Sequence, residues 1–242
     1  MFEFNFFFIY FCLIVSLQSA IGVGILVLGT PFLLIMDYKI IEIFFTLLPI
    51  SIITSLLNLL IMKSYNNKIK KNSYRELAKF FKICIPSIIV GLLMLKFFQE
   101  YINFKLLVSL VIILSVALVV FKKQISFKIN FFRISVLSIV GIVHGLTNSG
   151  GTLMSLAISS NNKKEHARYN ITLFYFILAL SQYLVTLLIF YKNFLYPSLE
   201  LLWTIIIGIA LGNLFNNFIS EKKYKIVINT LAVISSFFLI LK

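Results

Sequence analysis

The stretch QSAIGVGILVLGTP, residues 18–31, decides the fold, because it places glycine and small polar residues inside an apolar run too long for one straight membrane crossing. A second stretch of this kind, GIVHGLTNSGGTLMS, covers residues 141–155. Glycine weakens a helix. Inside a bilayer, interrupted backbone is tolerated only where protein or a water-lined cavity satisfies its polar groups. We therefore expect two broken helices that converge within the membrane.

Charged residues divide the chain into eight charge-free apolar runs. These runs cover 4–36, 43–62, 83–95, 106–121, 134–162, 169–191, 201–220 and 226–241. A membrane helix needs about 20 apolar residues, and a lysine at the end of a shorter run can reach the interface with its long side chain. The sequence therefore predicts an all-helical integral membrane protein with about eight transmembrane helices. The first and fifth runs are overlong, and both contain a glycine break.

The composition agrees with a membrane protein. Hydrophobic residues make up 60% of the chain and charged residues 12%, with a mean hydropathy of +1.02, whereas soluble domains carry roughly 25% charged residues. The formal net charge of +14 comes from basic residues in short loops beside apolar runs, where they hold loops on the cytoplasmic side and contact anionic lipid. We therefore expect a bilayer partner rather than nucleic acid, and a multi-pass location in a bacterial inner membrane.

One broken run opens each half of the chain, and three plainer runs follow it. This order predicts two four-helix repeats, residues 1–128 and 129–242. Four crossings in each half predict parallel repeats, unless a re-entrant hairpin within each long run changes the parity.

Basic loops give a conflicting orientation. Segment 63–82 and the loop around 122–133 are rich in lysine and arginine, and both are expected to be cytoplasmic. With eight single crossings, however, the basic segments 163–168 and 222–225 lie on the opposite side. The basic segments of the second half thus disagree with the orientation that those of the first half predict.

Catalytic side chains are sparse in the apolar runs. The eight acidic residues all lie outside these runs or at their ends, and His144 and His166 are the two histidines. Acid/base catalysis and metal binding need clustered Asp, Glu, His or Cys. We therefore expect no enzyme activity, no metal site and no cofactor.

The broken segments instead carry neutral polar groups and glycines. In the first, the candidate substrate-binding residues are Gln18, Ser19, Gly22, Gly24, Thr30 and Pro31. In the second, they are Gly145, Thr147, Asn148, Ser149, Gly150, Gly151 and Thr152. Backbone N–H groups at a helix start, together with hydroxyls and amides, can bind an anion. The alternative is that these small residues only allow close helix packing.

Two ionisable residues are further candidates for the substrate site. His144 lies at membrane depth between Gly141 and Gly145, where it could carry a coupling proton or make an ordinary interhelical hydrogen bond. Arg168 begins the sixth run and could clamp an anion or serve as an interfacial anchor. Further polar residues in or near the runs, which the sequence does not rank, are Asn58, Asn213, Asn216 and Asn217.

At these same residues the sequence resembles the TauE/SafE-type sulfite exporter family, also called the TSUP family, of eight-span transporters. The segment QSAIGVGILVLGTPFLL, residues 18–34, is similar to the family's first-repeat pattern of Gln-Ser, spaced glycines and a proline. The segments GLTNSGGTLMSL and KKEHARYNITLFYF, within 145–176, are similar to its second-repeat glycine cluster and basic loop, which here contains Arg168. The first segment lacks a run of three glycines.

The resemblance implies transport of a small sulfur-containing or organic anion such as sulfite or a sulfonate, outward and driven by the proton-motive force. The competing interpretation is a membrane-embedded subunit, or an assembly or lipid-handling protein without transport activity. A hollow between the two glycine segments would favour the carrier.

Overall fold

A computed structural model describes residues 2–62, 67–125, 134–194 and 200–240. Within these ranges the chain is helical and forms no strand, as the sequence predicts. The described ranges contain the α-helices α1 Phe2–Ile21, α2 Ile25–Ile35, α3 Ile40–Met62, α4 Asn67–Phe98, α5 Phe104–Ile125, α6 Ile134–Thr147, α7 Gly150–Asn161, α8 Lys164–Ile189, α9 Glu200–Phe218 and α10 Glu221–Ile240. A short 3-10 turn, Tyr191–Asn193, follows α8.

Both overlong runs are broken where their glycine clusters predict. The first divides between α1 and α2, and the fifth divides between α6 and α7. Gly22 and Asn148 follow the ends of α1 and α6 with φ of +87° and +64°, a left-handed conformation that favours glycine and asparagine. Their N–H groups donate to the carbonyls of Gln18 and His144, at 2.7 and 2.8 Å. The two breaks are therefore the same kind of helix end, and Gln18 and His144 occupy equivalent positions in them.

After the first break, the chain folds back along α1. Gly24 packs against the backbone of Gln18, the Tyr10 hydroxyl donates to the Leu28 carbonyl at 2.9 Å, and the Tyr10 ring stacks on Phe32 with centroids 3.8 Å apart. Later residues of α2 therefore contact earlier residues of α1, so the two helices are antiparallel. Residues 2–35 form a helical hairpin, which we call hairpin 1, rather than one interrupted crossing.

The fifth run makes a second hairpin. The start of α7 lies against α6, because a Cβ on Gly150 would be 2.8 Å from both the backbone nitrogen and the Cβ of His144. The two helices remain packed together. We call residues 134–161 hairpin 2.

One end of the helix bundle carries several of the basic segments. Asn213 of α9 donates to Asn58 near the end of α3 at 3.2 Å, and Lys164 at the start of α8 donates to the Asn216 carbonyl at 2.6 Å. The ends of α3 and α9 thus lie beside the start of α8, and α10 begins immediately after α9. We call this end the basic face.

The other end of the bundle is the vestibule face. Here Asp37, after α2, forms an ion pair of 2.7 Å with Lys105 of α5. The end of α4 at Gln99 and the residue Lys192 after α8 lie around the same cavity. Hairpin 1 therefore opens on the vestibule face, whereas hairpin 2 is followed directly by α8 on the basic face.

The hairpins remove the conflict between the two halves. Because α8 and α10 begin at the same end of the bundle as α3 ends, the basic segments 163–168 and 222–225 share a face with the start of α4. The conflict arose from the assumption of eight single crossings, whereas the helix ends described here place these basic segments at one end of the bundle.

A second correction concerns segment 63–82. It was expected to be a loop, but α4 begins at Asn67. The sequence from 67 to 82 contains no proline or glycine and is rich in lysine, which is compatible with a helix. The basic segment is therefore mainly the first turns of a long helix, and residues 63–66 lie outside the described ranges.

Apolar side chains face outward along the helices. Among the described residues, four helical segments are long and apolar enough to cross a membrane, namely Ile40–Met62, Leu77–Phe98, Lys164–Ile189 and Leu201–Phe218. Trp203 and Leu188 are 63% and 79% exposed, whereas Gln18 and His144 are almost completely buried. Apolar residues outside and polar residues inside suit a lipid environment. The chain is an integral membrane protein.

Close helix pairing joins the two halves. Helix α1 packs along α9, and α4 packs along α6. Glycines lie at both contacts: a Cβ on Gly212 of α9 would be 2.5 Å from the Cβ of Ser19, and one on Gly141 of α6 would be 2.6 Å from that of Ser87. Small residues of this kind allow membrane helices to approach closely, so each hairpin is held against a long helix of the other half.

Candidate functional site

The two hairpins meet inside the bundle. The Asn148 side-chain amide of hairpin 2 donates to Thr30 Oγ1 of hairpin 1 at 3.1 Å, and both residues are fully buried. A cavity of about 10 Å³ lies beside this contact and is lined by Gly24, Val27, Thr152 and neighbouring residues. A volume of this size holds about one water molecule. The glycine segments thus converge as expected, and the hollow between them is no larger than about one water molecule.

Gln18 connects hairpin 1 to α3. Its Oε1 accepts the backbone N–H of Ile25 at 3.2 Å, at the start of α2. Its Nε2 donates to Ser51 at 3.3 Å and to Ser55 Oγ at 3.0 Å. Both the oxygen and the nitrogen of the Gln18 side-chain amide therefore make hydrogen bonds. The oxygen satisfies a backbone N–H that would otherwise be unpaired at the start of α2.

The carbonyls at the end of α1 accept hydrogen bonds from three other helices. Arg168 Nε of α8 donates to the Ser19 carbonyl at 3.0 Å, Asn216 of α9 to that of Ala20 at 2.6 Å, and Tyr224 of α10 to that of Ile21 at 2.7 Å. A cation and polar donors at a helix C-terminus satisfy unpaired carbonyls and the negative end of the helix dipole. Arg168, which is 6% exposed, therefore holds the tip of hairpin 1.

Asparagines extend this contact into α3 and α9. Arg168 Nη2 donates to Asn213 Oδ1 at 2.6 Å. Asn58 Nδ2 donates to Ser19 Oγ at 3.0 Å. Asn58, Asn213 and Asn216, which the sequence did not rank, thus belong to one network around the tip of hairpin 1. Their position within apolar runs was the feature of the sequence that could have identified them.

Hairpin 2 differs, because several of its buried polar atoms have no partner. Both ring nitrogens of His144, Oδ1 of Asn148 and Oγ1 of Thr152 make no hydrogen bond to any described residue. The interhelical hydrogen bond considered for His144 therefore has no acceptor or donor here. Unpaired polar atoms in an apolar interior are costly, so this cluster is the part of the site best suited to receive a ligand.

Other predicted site residues of hairpin 2 bond within its turn or pack against α4. Thr147 Oγ1 donates to the Val143 carbonyl at 2.7 Å, and Ser149 Oγ donates to the Thr147 carbonyl at 3.2 Å. Gly145 packs against the backbone of α4, where a Cβ would be 3.1 Å from the nitrogen of Leu92. Gly145 thus serves close packing, as the alternative interpretation of these small residues proposed.

The remaining predicted residues also lie at helix contacts. Gly22 lies against the carbonyl of Arg168, and Gly151 packs directly against the ring of Tyr175. Pro31 is buried within α2, after the left-handed turn at the tip. These residues position the polar groups of the hairpins.

A large cavity opens on the vestibule face. Its volume is about 620 Å³, and it is bordered by the connection between α2 and α3, the end of α4 and the residues after α8. Charged residues of both signs line it, including Lys39, Lys192, Glu42 and Glu100. We call this cavity the vestibule.

Two polar residues on α8 were not among the predicted site residues. Gln182 and Thr186 are fully buried, and neither side-chain amide atom of Gln182 nor Oγ1 of Thr186 has a partner among the described residues. They lie one helical turn apart on α8, a spacing that places them on one face of the helix and could have identified them as a pair.

Comparison with known proteins adds a match over nearly the whole chain. The family model described as "Sulfite exporter TauE/SafE" matches residues 7–239, a range that includes hairpin 2, most of hairpin 1 and the site residues discussed above. No curated protein and no solved structure gives a significant match.

Proposed function

Because this chain belongs to the sulfite exporter TauE/SafE family, a family of membrane transporters, we propose that it carries a small sulfur-containing anion, sulfite or a simple sulfonate, out of a bacterial cell. The driving force is the proton-motive force, with His144 as a candidate for the coupling proton. The chain supplies binding groups rather than catalytic ones.

The cluster of unpaired polar atoms in hairpin 2 carries this proposal. His144 and Thr152 each have an N–H or O–H group available to donate, and they lie on either side of the turn that contains Asn148. The start of α7 directs its first N–H groups toward the same turn, where an anion is favoured by the helix dipole. An oxyanion with several acceptor oxygens matches such a set of neutral donors.

We further propose that α1–α5 and α6–α10 are inverted repeats within the boundaries 1–128 and 129–242. Each half has a hairpin followed by three helices, and the two hairpins open on opposite faces. The helix contacts also occur in matched sets: α1 with α9 corresponds to α6 with α4, and α2 with α10 corresponds to α7 with α5. Inverted repeats replace the parallel repeats that four crossings per half would produce, and they leave six crossing helices and two hairpins.

The orientation follows from the basic face. Short loops rich in lysine and arginine stay in the cytoplasm, so the basic face is cytoplasmic and the vestibule opens outward. Transport then requires an alternation in which the closed space between the hairpins connects first to one face and then to the other.

The test is counterflow in proteoliposomes that contain the purified full-length chain. We expect labelled sulfite to accumulate against an internal load of unlabelled sulfite, and methanesulfonate to compete. If folded protein moves neither of these anions nor any member of a panel of small oxyanions, with or without a proton gradient, the carrier proposal is wrong. The closed hollow of about 10 Å³ would then favour the alternative of a subunit or assembly protein without transport activity.

A further inference from the structure

Two polar side chains on α8, Gln182 and Thr186, are buried and have polar atoms without a hydrogen-bond partner among the described residues. Both are 0% exposed, and Gln182 Nε2, Gln182 Oε1 and Thr186 Oγ1 have no hydrogen-bond partner in the part of the chain that the structure describes. Neighbouring hydroxyls on the same helix behave differently. Ser181 donates to the Ile177 carbonyl and Thr172 to the Arg168 carbonyl, which is the usual way a helix satisfies a hydroxyl.

An unpaired buried amide destabilises a protein, whereas leucine at the same place would pack without cost. Within a membrane, polar groups that no structural contact uses are functional candidates. The pair is therefore best explained by a partner that is present only part of the time.

Gln182 and Thr186 lie on the part of α8 between the vestibule and hairpin 2. At the outer end, the Thr186 carbonyl accepts the N–H of Phe190 at 2.8 Å, and the residues that follow α8, including Lys192 and Phe194, line the vestibule. At the inner end, Tyr175 of α8 lies against Gly151 of hairpin 2. Gln182 lies two helical turns from Tyr175, about 10 Å along the helix.

Aromatic rings separate the pair from the vestibule. Phe45 of α3 contacts Phe194 in the vestibule wall and Tyr183 beside Gln182, with ring centroids 5.5 and 6.3 Å away. Both contacts are edge-on, and Phe45 is 1% exposed. Packed aromatic rings therefore lie between the vestibule wall at Phe194 and Tyr183, the residue next to Gln182.

We propose that Gln182 and Thr186 form a second binding station for the anion, on the path between the vestibule and hairpin 2. This inference rests on the proposed carrier function. The Gln182 amide and the Thr186 hydroxyl donate hydrogen bonds to the oxygens of a small oxyanion, while Gln182 Oε1 accepts one from a protonated oxyanion or from water.

The experiment compares transport with stability. The full-length variants Gln182→Leu and Thr186→Val are measured by counterflow of labelled sulfite and by thermal unfolding in detergent. We expect Gln182→Leu to lower the transport rate about tenfold or more, an effect of the size of one lost hydrogen bond to a charged ligand. We also expect its melting temperature to equal or exceed that of the unchanged protein, because an unpaired amide is removed.

Two controls make the comparison specific. Ser181→Ala removes a neighbouring hydroxyl that is already bonded within α8, and Thr204→Val removes a buried hydroxyl of α9 that donates to Leu201 at 2.7 Å. Both should keep transport within about twofold of the unchanged rate, since neither removes an available donor. Gln182→Met, which conserves volume, replaces Gln182→Leu if the leucine variant does not fold.

The outcomes separate this inference from the carrier proposal. If the unchanged protein transports sulfite and Gln182→Leu transports it equally well, the second station is wrong and the carrier stands. If Gln182→Leu loses transport and melting temperature together, Gln182 is structural and the station is again wrong. If the unchanged protein neither transports sulfite or methanesulfonate nor is stabilised by them in thermal unfolding, the carrier proposal fails and the station fails with it.

Discussion

The side-chain amide of Asn148 donates to Thr30 Oγ1 at 3.1 Å and thereby joins the turn of hairpin 2 to the second helix of hairpin 1. These residues are far apart in sequence and belong to different halves of the chain. Their contact is the point at which the two interrupted helices meet.

Asn148 offers a test of binding without a change of backbone. Glycine suits its left-handed φ of +64°, as Gly22 does in the equivalent turn, so Asn148→Gly should keep the fold while it removes the amide. We expect counterflow of labelled sulfite to fall about tenfold, the effect of one hydrogen bond to an ion, and the loss of the hydrogen bond to Thr30 to cost about 0.5–1.5 kcal/mol of stability. Asn148→Leu should in addition lose about 1–2 kcal/mol of stability through backbone strain. Normal transport by Asn148→Gly would exclude this amide from the site.

Gln18 and His144 occupy equivalent positions but should respond in opposite ways. Gln18→Leu leaves the Ile25 N–H without its acceptor and should cost about 1–3 kcal/mol of stability. His144→Leu removes two buried nitrogens that have no partner among the described residues, so it should lower transport and leave the melting temperature unchanged or raised. Thermal unfolding and counterflow of both variants measure the contrast. Equal losses of stability would contradict the division between a structural and a binding hairpin.

Arg168 should prove to be a stabilising residue. Arg168→Gln removes a charged donor from the Ser19 carbonyl, so we expect a loss of about 1.5–3 kcal/mol, measured as a lower melting temperature. His166→Gln, two residues earlier on an exposed side chain, is the matched control and should change nothing. A variant that keeps its stability while its KM for sulfite rises would instead support the anion clamp that the sequence suggested.

The orientation of the helices can be measured by cysteine labelling. In a background with Cys12 and Cys84 replaced by alanine, a membrane-impermeant maleimide added to intact cells should modify Tyr101→Cys on the vestibule face, where Tyr101 is 85% exposed. It should not modify Lys79→Cys or Lys163→Cys until the cells are opened. Eight single crossings would instead place Lys79 and Lys163 on opposite sides, so unequal labelling of these two positions would contradict the hairpins.

The sequence was sufficient to predict the helical membrane class and the location of both breaks. Overlong apolar runs and clustered glycines are local features, and they survive into the fold as the turns at Gly22 and Asn148. The direction of the chain after each break was not predictable in the same way. It depends on contacts such as the stack of Tyr10 on Phe32, which join residues through tertiary packing.

The candidate site was predicted in outline only. His144, Asn148 and Thr152 remain candidates, whereas Gly145 serves helix packing and Arg168 bonds to a backbone carbonyl. A carbonyl acceptor has no signature in the sequence, so the partner of Arg168 could not be read from it. The spacing of Gln182 and Thr186 was available in the sequence, but the sequence does not show whether the hydrogen bonds of a buried amide are made or missing.

Three helices of the other half, α8, α9 and α10, donate hydrogen bonds to the carbonyls of Ser19, Ala20 and Ile21 at the end of α1. A movement that shifted this tip alone would break several buried hydrogen bonds at once. We therefore expect the tip to move together with α8, α9 and α10. On the proposed carrier mechanism, a passage at the basic face would then open by movement of hairpin 1 together with α8, α9 and α10 relative to the other helices.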